Sequence, residues 1–203
     1  AADVVAHFAK AGRAGNARRT VEGFLRPGAV ELPLLYPVTT EIPWRDARYA
    51  EAVGGFYAAA AAAVEAHLAA GRTVAVLSEG DPLFYGSYMH LHVRLAPRWP
   101  AEVIPGITAM SGCWSQAGLP LVQGDEVLTV LPGTLEEGEL ARRIADSPAS
   151  VIMKVGRNLP RIRRALAATG KLARAVYVER GTMERTWTTP LADKNDDDAP
   201  YFS

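Results

Sequence analysis

The stretch that most constrains the fold is Thr73–Gly86, TVAVLSEGDPLFYG. Thr73–Leu77 is a short run of apolar and β-favouring residues, and Ser78-Glu79-Gly80-Asp81-Pro82 breaks it. A short apolar run bounded by turn residues predicts a buried strand of an α/β sheet. Open α/β sheets bind ligands outside the carboxyl ends of their strands, where the Gly80-Asp81-Pro82 loop falls. Gly80 permits close backbone approach, Pro82 fixes the chain direction, and Asp81 offers a carboxylate at the strand tip. No Gly-Lys-Ser/Thr follows, so this is not a P-loop, and it is not a GxGxxG fingerprint. Two readings stay open on spacing alone: a tight turn in which Asp81 caps the next helix, and a ligand loop.

Glu102–Cys113, EVIPGITAMSGC, favours the ligand reading. A short strand is expected to run into Pro105-Gly106, followed by a helix to Gly118. Thr108 and Ser111 are placed to cap that helix or to bond a ligand. Two strand-to-helix turns built from Gly, Pro and small polar residues point to one shared site.

The rest of the chain alternates strands with helices, which implies sheets with parallel members. Val30–Tyr36 reads as a strand within an extended, proline-rich stretch from Pro27 to Pro43. Arg45–Ala70 reads as an alanine-rich helix ended by Gly71. Phe84–Leu95 reads as a helix, with Tyr88, Leu91, His92 and Leu95 at helical spacing. Leu119–Gly124 looks like an interdomain connection, giving domains 1–122 and 125–203. Beyond it, strands are expected at Glu126–Leu131, Ser150–Val155 and Ala175–Glu179, and an edge strand at Thr186–Leu191. Helices are expected from Thr134, with Glu137 completing a capping box, to Ala145, and over Asn158–Ala168. Arg161, Arg163 and Arg164 read as a solvated helix face, and Lys194–Asp198 as an acidic loop.

Charge narrows the classes of partner. Lys and Arg total 22 and Asp and Glu total 22, for a net charge of +0, which argues against a broad nucleic-acid surface. Cys113 alone cannot form an internal disulfide, so a reducing, cytoplasmic compartment is expected. No apolar run is read as long enough to span a membrane, and no signal peptide is visible. His7, His67, His90 and His92 show no metal-ligand spacing. The acidic loop lacks the Gly and Glu of a calcium-binding EF-hand.

GDPLFYG, VIPGITAMSG and YVERGT together resemble the tetrapyrrole (precorrin) methyltransferases, and LSEGDPLFYGSYMHLHVRL, TVLPGTL and NDDDAPYFS extend the likeness over nearly the whole chain. The resemblance implies two α/β domains of the class III methyltransferase type with the site in the interdomain cleft. It implies S-adenosylmethionine as methyl donor, no required metal, a precorrin as acceptor and a homodimer. The family's cofactor contacts map onto Gly80, Asp81 and Phe84, onto Thr108 and Ala109, onto Val155, and onto Gly181. Val155 has an equal reading as a core residue. No catalytic acid or base is singled out. Arg13, Arg18 and Arg19 are the candidate cations for the acceptor's carboxylates, against the alternative of a solvated face. Family members begin with a strand and a GxGPGDP-type loop before the region matched here, and end in a further strand, so both ends are expected to be truncated. A non-catalytic tetrapyrrole or nucleotide carrier is the alternative class.

Overall fold

The computed structural model describes residues 2–37 and 47–203. The chain divides into two compact units, Ala1–Ile107 and Thr108–Ser203. The end of the proline-rich stretch at Pro43 and the helix start at Arg45 fall outside the described residues.

In the first unit, β1 (Val4–Lys10) pairs in parallel with β2 (Val30–Tyr36) on one side and β3 (Val74–Leu77) on the other. β1 is the middle strand because its VVAHFA run is apolar on both faces, and Val4, Val5 and Ala6 are buried. Pro33, which cannot donate to a ladder, lies on the outer strand β2, as proline in a sheet should. The short helix α1 (Asn16–Thr20) follows β1, and α2 (Ala47–Ala69) connects β2 to β3. The helix α3 (Tyr88–Leu95) buries Leu91 and Leu95 at the expected spacing. They pack with Ala60, Ala61 and Val64 of α2 against Ala6 and Leu34 of the sheet.

Over Glu51–Ala69, α2 is long and apolar enough by length and composition to cross a membrane. This corrects the expectation that no apolar run is long enough to span a membrane. Alanine supplies apolar character without bulk, so it raises the hydropathy of a helix without marking what it packs on. Ala60, Ala61 and Val64 are committed to the core of this unit, and Glu65 accepts a hydrogen bond from Trp99 Nε1 at 3.0 Å.

The second unit opens with α4 (Ala109–Ala117), ended by Gly118 in the left-handed region. β4 (Leu128–Pro132) and β5 (Ala149–Met153) pair in parallel, and β6 (Val176–Glu179) and β7 (Trp187–Pro190) pair antiparallel. α5 (Glu137–Asp146) contributes Leu140 and Ile144, and α6 (Leu159–Ala168) contributes Leu159, Ile162, Ala165 and Leu166, to a core that includes Leu131 and Tyr177. These are the positions that a helical apolar stripe brings to one face. Lys171 Nζ donates to the carbonyls of Ile144 and Ser147, satisfying the end of α5.

Three expectations change. No strand forms at Glu102–Ile104; no sheet strand pairs with it among the described residues, and Ile104 is 76% exposed. The capping box is absent because α5 starts at Glu137 itself, so that residue is too early to reach back as a box partner; Glu137 pairs instead with Arg164 at 2.8 Å. The division into units falls at Ile107/Thr108, ahead of residues 122–125, and α4 packs on the end of β6 within the second unit.

His7 is buried in β1, 3.6 Å from Glu31, which also holds Arg18. Burial pushes its pKa below the ordinary 6.5, aided by Arg18 and opposed by Glu31. The unfolded chain therefore binds the proton more readily than the folded chain. Stability is intact above the unfolded value and is lost as pH falls from about 6.5 towards the folded value. Burial and Arg94 push His90 in the same direction. The urea midpoint should fall between about pH 7.5 and pH 5.5, and His7→Gln should flatten that slope.

Candidate functional site

The first candidate loop begins where β3 ends at Leu77. Asp81 Oδ1 accepts the amide of Leu83 at 2.9 Å, closing a local turn, and Oδ2 accepts the amide of Gly106 at 3.1 Å. Asp81 is thus not a helix cap: α3 starts at Tyr88, with Ser87 before it. Gly106 lies so close to the loop that a Cβ there would stand 2.2 Å from the carbonyl oxygen of Gly80 and 2.8 Å from its carbon. Gly80 itself has φ +68°, a conformation that favours glycine. The two stretches singled out in the sequence therefore meet backbone to backbone within the first unit.

The surface these loops present is mixed. Gly80 is exposed, and Phe84 is half-buried with its ring 4.8 Å from that of Tyr85. Tyr85 holds a positive φ of 53°, unusual for a bulky residue and a form of strain that clusters at ligand sites. Leu83, Tyr85, Ile104 and Ile107 are exposed along the two loops. Bare backbone groups beside apolar side chains suit an organic ligand that is part polar and part aromatic.

An aromatic cluster near the same strand ends was not read from the sequence. Phe8 and Tyr36 stack at 5.7 Å, and Phe56 and Tyr57 of α2 pack on them. Tyr57 also stacks on His90 at 4.1 Å and donates to Ser87 Oγ at 3.2 Å; the Tyr36 hydroxyl meets the same Ser87 oxygen. The signal was available in part, since Phe8 pairs with Leu34 and Tyr36 stands two residues on, on the same face.

In the second unit, Thr108 is the N-cap of α4: its Oγ1 accepts the amide of Ser111 at 3.2 Å, and Ser111 Oγ donates back to the Thr108 carbonyl at 2.9 Å. Ala109 is the first helical residue and is exposed. Gly181 faces the same helix, for a Cβ there would stand 2.7 Å from Cys113 Sγ and 3.1 Å from its Cα. Gly112 meets Thr182 in the same way, at 3.2 Å. Arg180 and Thr182, on either side of Gly181, have φ of 47° and 66°. Burial pushes the Cys113 thiol pKa up, against a bond from the Gly181 backbone. Thr108, Ala109 and Gly181 are thus joined through α4. Val155 is 7% exposed and packs with Leu131 and Leu159, so its side chain belongs to the core. The cap accounts for the Thr108 hydroxyl, so Thr108→Ala should cost about 1 kcal/mol of stability, read as a lower melting temperature.

The arginines divide. Arg18 forms a bidentate pair with Glu31 at 2.6 and 2.9 Å, which commits it to the fold. Arg13 and Arg19 are exposed and form no ion pair among the described residues. Arg163, expected on a solvated face, instead holds the carbonyls of Leu191 at 2.9 Å and Asp196 at 3.0 Å and pairs with Asp197 at 2.9 Å. It thereby shapes the acidic loop. Lys194, buried there, lies 5.1 Å from the ring centres of both Tyr177 and Trp187 and 2.6 Å from Asp196. A cavity of about 560 Å³ opens beside it, lined by Glu179, Arg180, Trp187 and Asp198 among others. Among the described residues, no group of three or more His, Cys, Asp or Glu side chains is placed to hold a metal ion.

Residues 1–195 match the family of Tetrapyrrole (Corrin/Porphyrin) Methylases. The chain belongs to that family. It is 73% identical over 202 residues to the precorrin-2 C(20)-methyltransferase of a Sinorhizobium species, a match spanning 100% of this chain and 82% of that protein. It is 49% identical over 202 residues to the cobalamin biosynthesis protein CobIJ of Mycobacterium tuberculosis strain H37Rv, spanning 100% of this chain but 40% of that protein. The fold of this tetrapyrrole methylase is similar to that of the cobalt precorrin-4 methyltransferase CbiF, with a TM-score of 0.64 at 18% identity, covering 93% of this chain and 73% of that one.

Proposed function

We propose that this tetrapyrrole methylase transfers a methyl group from S-adenosylmethionine to the C(20) meso carbon of precorrin-2, a step of cobalamin biosynthesis. The observation that carries the reading is the 73% identity across the whole chain to an enzyme of that name. When bound, S-adenosylmethionine supplies a methyl group activated by its sulfonium, so the chain's task is to bind, orient and exclude water. Gly80 and Phe84 of the first loop, the backbone of Thr108 and Ala109 at the start of α4, the Val155 backbone and Gly181 are the groups we assign to cofactor binding, with Asp81 holding the first loop in place. Their geometry fits that role best at the Gly80–Phe84 loop, where a strand-end backbone held in place by Gly106 stands beside exposed apolar side chains.

Transfer from a sulfonium to carbon needs no Lewis acid, so we propose that no metal takes part. We also propose that the enzyme works in the cytoplasm, as its free Cys113 suits, and as a homodimer, as its likeness to the family implies. Arg13 and Arg19 are the cations we assign to the acceptor's carboxylates. Exposed pairs are individually weak, so replacing both by Ala should raise the KM for the acceptor about three- to tenfold and leave cofactor affinity unchanged. The wild-type KM should rise with salt.

The test is a methyl-transfer assay with metal-free and cobalt-containing precorrin-2 side by side, in the presence of a chelator, with the product's methyl position read by NMR. One methyl at C(20) of the metal-free substrate, insensitive to the chelator, is the expected result. Preference for the cobalt form would move the substrate assignment. Tight binding without turnover would make the protein a carrier.

A further inference from the structure

We propose that Asp81 is a positioning residue, a clasp that holds the Gly80–Tyr85 loop on the Pro105-Gly106 turn, and that it does not itself bind the methyl donor. The inference rests on the reading that this loop receives S-adenosylmethionine. Its ground is the accounting of the carboxylate: Oδ1 accepts the Leu83 amide at 2.9 Å and Oδ2 accepts the Gly106 amide at 3.1 Å. Each oxygen thus already accepts a backbone amide, one two residues away and the other 25 residues away in sequence. Charge-assisted bonds to a carboxylate are stronger than those between neutral groups, so such a clasp fixes the loop more firmly than a backbone turn would.

The surroundings show what the clasp holds against. Around it the loop is otherwise open: Gly80 is exposed, and Leu83, Tyr85, Ile104 and Ile107 are exposed on its two sides. Among the described residues, no ladder of a sheet anchors residues 101–107. The close approach of Gly106 to the Gly80 carbonyl, which would leave 2.2 Å for a Cβ, is the contact that the clasp keeps in register. Asp81 is the partner of the Gly106 amide across this gap, and without it the loop loses the conformation in which Gly80 and Phe84 face a ligand. Asp81 therefore contributes to binding through Leu83 and Gly106.

Hydrogen exchange read at single amides, combined with calorimetry on the full chain, separates this role from direct contact. In Asp81→Ala, the Leu83 and Gly106 amides should each exchange about tenfold faster or more, and S-adenosylmethionine affinity should fall. Asp81→Asn keeps one acceptor oxygen, so one of the two amides should stay protected and affinity should be intermediate. The melting temperature, which a general loss of structure would lower, should move little in either variant. Weakened affinity with unchanged exchange at both amides would mean that the carboxylate touches the cofactor, and would overturn the clasp. Unchanged affinity with both amides exposed would also overturn it as a positioning device. Should the wild-type chain bind no S-adenosylmethionine, the functional reading fails, while the exchange pattern still decides whether the clasp exists.

Discussion

Gly106→Ala should reduce S-adenosylmethionine affinity by at least about tenfold, because the new methyl has no space: it would stand 2.2 Å from the Gly80 carbonyl oxygen and 3.2 Å from the Asp81 Cα. The obstacle is backbone, so no side-chain rotamer relieves it. Either the Pro105-Gly106 turn or the Gly80 loop must move, and the Asp81–Gly106 bond at 3.1 Å is lost in both cases. The core lies elsewhere in the unit, in Ala6, Leu34, Val64 and Leu91, so the melting temperature should fall far less than the affinity. Gly54→Ala is the matched control. It lies inside α2 with nothing within 4 Å of the added Cβ, and it should be neutral or stabilising by about 0.5–1 kcal/mol. Calorimetric Kd and a thermal melt on both variants read the contrast.

The largest loss of stability is expected from Leu140→Ala. Leu140 is 0% exposed and sits in the core that α5 and α6 share with Leu131 and Tyr177. Truncation removes buried methyl groups and leaves a cavity. Its neighbours Ile144, Leu159 and Ile162 are themselves fixed on helices and cannot collapse fully into it. The cost should be about 2–5 kcal/mol, measured by urea denaturation followed in the second unit. A loss under about 1 kcal/mol would mean that the helix pair repacks freely, contrary to the packing described.

Much of the architecture was legible because the signals are local. A run such as Val74–Leu77 ends in turn residues, and a stripe such as Leu159, Ile162 and Leu166 repeats at helical spacing. The site was legible in outline for the same reason, since Gly80-Asp81-Pro82 and Pro105-Gly106 mark turns. The partnerships were not. Nothing in the linear pattern shows that Asp81 reaches an amide 25 residues away, or that Arg163 gathers the carbonyls of a loop 28 to 33 residues on. The expected strand at Glu102–Ile104 failed because β-favouring residues form a strand only when another strand pairs with them. Thr108 was ambiguous because a hydroxyl that caps a helix and one that meets a ligand occupy the same position in sequence.

The claim at the centre of this account is that the joined Gly80–Tyr85 and Pro105-Gly106 loops receive the methyl donor. Titrating the full chain with S-adenosylhomocysteine while following backbone amide shifts by NMR tests it directly. The largest shifts should fall on the amides of Gly80 to Tyr85, apart from Pro82, and on Gly106 and Ile107. Shifts confined to the cavity beside Lys194 and Trp187, with the Gly80 and Gly106 amides unmoved, would contradict it.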